Sequence, residues 1–128
     1  MRARAALGLA GLAVFFVAGA TNSVASSHVS CPRGALPLTV TNPIGPATTA
    51  ALRRVPARER PQVTSAELTV YDNVRGPQVQ TQCGDRVAAR TIIVYITRRA
   101  YLPAQSASQG VYFVSRFQSG YRVWQVAH

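Results

Sequence analysis

Residues 107–128 read ASQGVYFVSRFQSGYRVWQVAH, and this stretch decides the fold. It holds the only Trp, two of the five Tyr and two of the four Phe of the 128-residue chain. Apolar side chains alternate on either side of Gln118-Ser119-Gly120, which predicts two strands folded back on a glycine turn. A three-residue loop with Gly120 in the left-handed region sets Phe117 opposite Tyr121, Val114 opposite Trp124 and Tyr112 opposite Val126. It also sets Arg116 opposite Arg122, a like-charge pair that an anion between them would relieve. A two-residue Ser119-Gly120 loop shifts the register by one and avoids the clash. The hairpin is apolar on both faces, so each face needs a cover.

Upstream of it, residues 86–98 (RVAARTIIVYITR) form the strongest single strand. Ile92, Val94 and Ile96 face one way, Ile93 and Tyr95 the other, so both sides are apolar and the strand is central. Residues 78–83 (QVQTQC) alternate as a weaker strand, and Gly84-Asp85 fits a hairpin turn between the two. Residues 63–74 read as a half-buried strand with Ala66, Leu68 and Val70 on one face. Asp72, Asn73, Gly76 and Pro77 supply the turn chemistry after it. The helix candidate is residues 44–55, with Pro46 in the first turn, Pro56 as the stop and a stripe of Ala47, Ala51, Leu52 and Val55. Residues 44–128 are therefore expected to be a single α+β domain, one short N-terminal helix packed on a curved antiparallel sheet of four to five strands. One helix covers one face. The other is left for a pocket, a homodimer contact or the N-terminal arm.

Residues 1–25 have the form of a secretory signal peptide. Arg2 and Arg4 precede an apolar run at residues 5–18, and small residues place cleavage after Ala25 or after Ala20. The apolar run is shorter than the roughly 20 residues that span a bilayer. Residues 26–43 contain Pro32, Pro37 and Pro43 and read as an extended arm, with residues 35–41 a short edge strand or a tether. Cys31 and Cys83 are the only cysteines. An even count in a small exported domain predicts one disulfide, tying the arm to the rest.

The 14 basic residues are all Arg, against Glu59, Glu67, Asp72 and Asp85. Without Arg2 and Arg4 the charge is 12 − 4 = +8. Such an excess favours anionic partners: cell-wall polymer or lipid. Export and the lack of an aromatic RNA-binding motif argue against nucleic acid. The catalytic inventory is thin. His28 and His128 are the only histidines and both lie near the ends of the exported part. No nucleotide-binding, nucleophile-elbow or zinc-protease motif occurs. Glu67 and Asp72 fall on opposite faces of one strand and form no acid–base pair. Two distant cysteines make no metal site. The expectation is a non-enzymatic chain without catalytic residues, metal or cofactor.

The element order, helix then antiparallel strands, resembles the cystatin-like and NTF2-like arrangement, in which a curved sheet wraps a helix. The closing run Gly120-Tyr121-Arg122-Val123-Trp124-Gln125-Val126 is similar to the last strand of many NTF2-like domains. The all-Arg composition and Ala-rich start resemble an actinobacterial secreted protein. The NTF2-like resemblance implies a pocket on the concave face, hence a small-molecule carrier or enzyme as the alternative function. Gln78-Val79-Gln80-Thr81-Gln82 lacks the spacing and the Gly of the cystatin inhibitory loop, so no inhibitor function carries over. The primary expectation is a secreted binding or interaction domain at the cell envelope or outside the cell. Its expected ligand contacts are Arg116, Arg122, Tyr112 and Trp124 of the hairpin.

Overall fold

A computed structural model describes residues 29–128; the expected signal peptide and both cleavage positions lie outside the described residues. Helix α1 (Ile44–Arg53) is followed by β1 (Pro61–Leu68), α2 (Gly76–Cys83), α3 (Asp85–Ala88), β2 (Thr91–Arg98), β3 (Gln109–Phe117) and β4 (Gly120–Ala127). The strands form one antiparallel sheet in the order β1-β2-β3-β4. The molecule is α+β with four strands, and β2 is central as its two-sided apolar pattern requires. Ile92, Ile93 and Val94 are fully buried.

Strand parity divides the core in two. Ile92, Val94, Ile96, Tyr112 and Val114 point toward α1 and pack on Ala47, Ala51 and Val55. Ile93, Val111 and Phe113 point to the other face and pack on Val79 of α2 and Ala88 of α3, with Trp124, Tyr95 and Cys83 at the edge of that cluster. The second cover is thus a helix pair in a segment whose alternation reads as strand. Residues 78–83 form α2, not a strand, and Gly84-Asp85 is not a hairpin turn. Gly84 (φ 86°) ends α2, donating its N–H to the Gln80 carbonyl (2.9 Å), and α3 starts at once. Residues 86–88 belong to α3, so the central strand begins only at Thr91. QVQTQC carries one large aliphatic residue, Val79. A strand there would bury one side chain, whereas a helix with Pro77 in its first turn sets Val79 on the sheet and leaves the Gln residues on its outer side. These helices occupy the face that would otherwise be open for a dimer.

The strand expected over residues 63–74 stops at Leu68. Thr69 is buried and its hydroxyl donates to the Thr91 carbonyl (2.6 Å), turning the chain into a short 3-10 turn at Thr69–Tyr71. Asp72 then fixes the entry into α2. One carboxylate oxygen accepts from the backbone N–H of Val74 (2.8 Å) and Arg75 (2.6 Å), the other from the Tyr95 hydroxyl (2.6 Å). Val70 is turned out of the sheet and is 65% exposed, so it does not share the face of Ala66 and Leu68. Burial raises the Asp72 pKa, but the Tyr95 bond and the backbone donors outweigh it and hold the carboxyl below its ordinary value; burial and the same bond push the Tyr95 phenol up. Asp72 therefore stabilises the fold fully above pH about 4, the unfolded carboxylate range, and less as pH falls through its lower folded pKa. Asp72→Asn is expected to lose part of that acid-side slope in denaturation curves collected between neutral and acid pH. An unchanged slope would show that another group carries it.

Gly76 opens α2 where no side chain fits: a Cβ there would sit 2.3 Å from the Thr69 carbonyl oxygen. Gly76→Ala is expected to cost about 1–3 kcal/mol, since a backbone atom cannot step aside. Gly45, inside α1, has nothing nearer than 3.6 Å. Gly45→Ala is expected to stabilise by about 0.5–1 kcal/mol through helix propensity. Parallel urea titrations check the opposite signs.

Candidate functional site: the arm–hairpin cleft

The arm is a tether. Among the described residues its one ladder contact is a bridge between Leu36 and Arg116, with the Leu36 N–H donating to the Arg116 carbonyl (2.7 Å). Arg90 Nη1 holds the Ala35 carbonyl (2.6 Å) and Arg116 Nη2 the Pro37 carbonyl (3.0 Å). The expected Cys31–Cys83 disulfide is present, with Cα atoms 5.5 Å apart, and it fastens the arm to the end of α2. An intramolecular disulfide is compatible with an extracytoplasmic location.

These ties lay Ser30, Cys31, Pro32 and Arg33 beside the turn end of the hairpin. Between them and Phe117, Arg122 and Trp124 lies an open cleft of about 450 Å3. The hairpin register shapes its far wall. Phe117 pairs with Gly120, Arg116 with Tyr121, Ser115 with Arg122 and Val114 with Val123. The loop is Gln118-Ser119 with Gly120 (φ 114°) directly after it, so near the turn the register is one residue earlier than the expected three-residue loop gives and two earlier than the expected Ser119-Gly120 loop gives. An extra residue, Trp124, is then accommodated between Val123 and Gln125, and beyond it Tyr112 does pair with Val126. A bulge of this kind re-aims a side chain. Here Val123 joins the α1 side and Trp124 the α2 side.

Arg116 and Arg122 consequently do not face each other. Arg122 is exposed and its guanidinium carbon stands 4.3 Å over the centroid of the Phe117 ring. Arg116 is turned back to the arm. Trp124 donates its indole N–H to Ser115 Oγ (3.1 Å), which also contacts Thr91 Oγ1 (3.3 Å), and its ring lies 5.5 Å from that of Phe113. Tyr112 is 1% exposed on the α1 face and accepts a hydrogen bond from Arg98 Nη2 (2.8 Å). Arg98 Nε and Glu59 Oε2 are 3.5 Å apart, an ion pair too long for a good hydrogen bond, and Tyr101 donates to the other Glu59 oxygen (3.2 Å). Of the four hairpin residues singled out in the sequence, the structure brings Arg122 and Trp124 together in the cleft. It places Arg116 against the arm and Tyr112 in the core.

Arg33 joins the cleft instead. Only its closeness to Cys31 signals this in the sequence, and only once the bridge to Cys83 is in place. Among the described residues, Arg60, Arg75, Arg90, Arg98 and Arg116 donate to protein acceptors, whereas Arg33 and Arg122, like Arg53, Arg54, Arg58, Arg86 and Arg99, have neither a side-chain acceptor bond nor an ion pair; of these seven, Arg33 and Arg122 line the cleft. No carboxylate lines the cleft. Two unneutralised guanidinium groups and an indole line the same cleft, a set of side chains suited to an anion. The chain matches no protein-family model, no curated protein and no solved structure.

Proposed function

We propose that the protein is an exported, non-enzymatic binding module acting at the cell envelope or outside the cell, with an anionic ligand held in the arm–hairpin cleft. The observation that carries this reading is the pairing of Arg33 and Arg122 in one cleft, both without a side-chain hydrogen-bond acceptor or ion pair among the described residues, in a chain with a large Arg excess. The acids do little to offset it there: Asp72 is buried at the entry to α2, Glu59 is held by Arg98 and Tyr101, and neither Glu67 nor Asp85 lines the cleft. A cleft also favours a ligand that enters it, a unit of an anionic wall polymer, over a flat bilayer. The alternative of a carrier or enzyme with an NTF2-like pocket under α1 has less support, because Ala47, Ala51 and Val55 are packed directly on Ile92, Val94 and Tyr112.

The test is chromatography of the purified protein on immobilised polyglycerol phosphate. The reading predicts retention at low salt and release as the salt approaches physiological strength, where the screening length falls to about 8 Å. Flow-through at low salt would remove it.

A further inference from the structure

The walls of the cleft are chemically unequal, and the inequality restricts the ligand further than its charge does. The Arg122 guanidinium carbon stands 4.3 Å over the Phe117 ring, a cation–π contact that holds the side chain while its N–H groups remain free to donate. The Trp124 N–H is engaged by Ser115, so this residue gives the cleft apolar ring surface and no donor. Ser30 adds a hydroxyl at the arm side. The volume, about 450 Å3, lies in the range of small-molecule sites and exceeds what a bare oxyanion fills. An inorganic anion would satisfy the guanidinium edges and leave the apolar surface of Trp124 that lines the cleft in contact with water. A simple aryl anion would set its charged group on the same guanidinium edges and cover the indole, but it carries no hydroxyl for the remaining N–H groups or for Ser30.

We propose that the cleft takes an anionic saccharide unit, a ring bearing a phosphate or carboxylate, with the charged group on the edges of Arg122 and Arg33 and the C–H face of the ring on Trp124. This rests on the reading of the cleft as an anion site. The several hydroxyls of a sugar ring match the remaining donors, and its C–H face matches the indole. Polymer and free sugar phosphate share this chemistry, and titration with single sugars tests the unit itself.

The experiment is calorimetric titration of the purified protein with glucose 6-phosphate, glucuronate, phenyl phosphate, inorganic phosphate and methyl glucoside, repeated on Arg122→Gln and Trp124→Leu. Arg122 is exposed, so its variant folds even if the Trp124 variant proves unstable. The expected result is saturable binding of glucose 6-phosphate or glucuronate, about tenfold or more tighter than inorganic phosphate, the size of one good ring contact. Methyl glucoside should not bind measurably, and Arg122→Gln should weaken the anionic sugar by a similar factor. Equal affinity for inorganic phosphate, or for phenyl phosphate, would overturn the saccharide assignment and leave the anion site standing. Failure of every anion to bind would overturn both.

Discussion

Replacing Cys31 and Cys83 together by Ser is expected to lower the unfolding free energy by about 4 kcal/mol, the chain-entropy value for a closed loop of this length. The bridge spans 52 positions and joins the arm to α2 across the sheet's second face. Without the disulfide, the described arm contacts left are the Leu36 bridge, the carbonyl contacts of Arg90 and Arg116, the buried Ala35 and the packing of Leu38 on the α1-side core. The same change removes one wall of the cleft, Ser30 to Arg33, and should weaken anion binding in protein that remains folded. Urea titrations of the double variant against the oxidised parent check the first part. A difference under about 1 kcal/mol would mean that the arm's other contacts already restrain it, or that the reduced unfolded chain keeps structure of its own.

Tyr112→Ala is expected to cost about 3–5 kcal/mol, in the range for removing a large aromatic side chain from a packed core. The ring is packed among Ile92, Val94 and Ile96, and its hydroxyl is the hydrogen-bond acceptor of Arg98. Tyr112→Phe isolates that second role. It leaves a half-buried guanidinium with only the 3.5 Å contact to Glu59 and should cost about 1–3 kcal/mol. Tyr112→Phe should leave anion binding unchanged, because the ring lies on the face opposite Trp124. A loss of binding in a stably folded Tyr112→Phe variant would show that the two faces are coupled. Guanidinium denaturation combined with a binding measurement on the same samples separates these outcomes.

The sheet was legible where both strand faces are apolar. Ile92, Ile93 and Val94 admit no other placement than a central strand, and the two prolines around α1 bound its helix. The second layer was not legible. Val79 and Ala88 are the only residues of α2 and α3 buried against the sheet, too few to give the segment a helical period, and the Gln residues between them imitate strand alternation. The hairpin was legible in kind but not in register, because Trp124 is inserted as a bulge that sequence spacing does not announce. That one residue also decides the site. It sends Trp124 to the α2 face beside Arg122, while Tyr112 stays under α1. Arg33 could be placed only through the disulfide. Two of the four expected contact residues therefore share the cleft, and a third guanidinium, Arg116, is tied to the Pro37 carbonyl.

Net charge alone would also retain a protein of this composition on an anionic matrix, so position must be separated from charge. The decisive comparison is between Arg33→Gln/Arg122→Gln and Arg53→Gln/Arg54→Gln, two double variants that lose the same charge, the second from the exposed end of α1. Their affinities for polyglycerol phosphate are measured at one fixed salt concentration. A cleft site predicts about tenfold or greater weakening for Arg33→Gln/Arg122→Gln, the loss of one or more charged hydrogen bonds, and little change for Arg53→Gln/Arg54→Gln. Equal weakening of the two would contradict the cleft and return the binding to a diffuse basic surface.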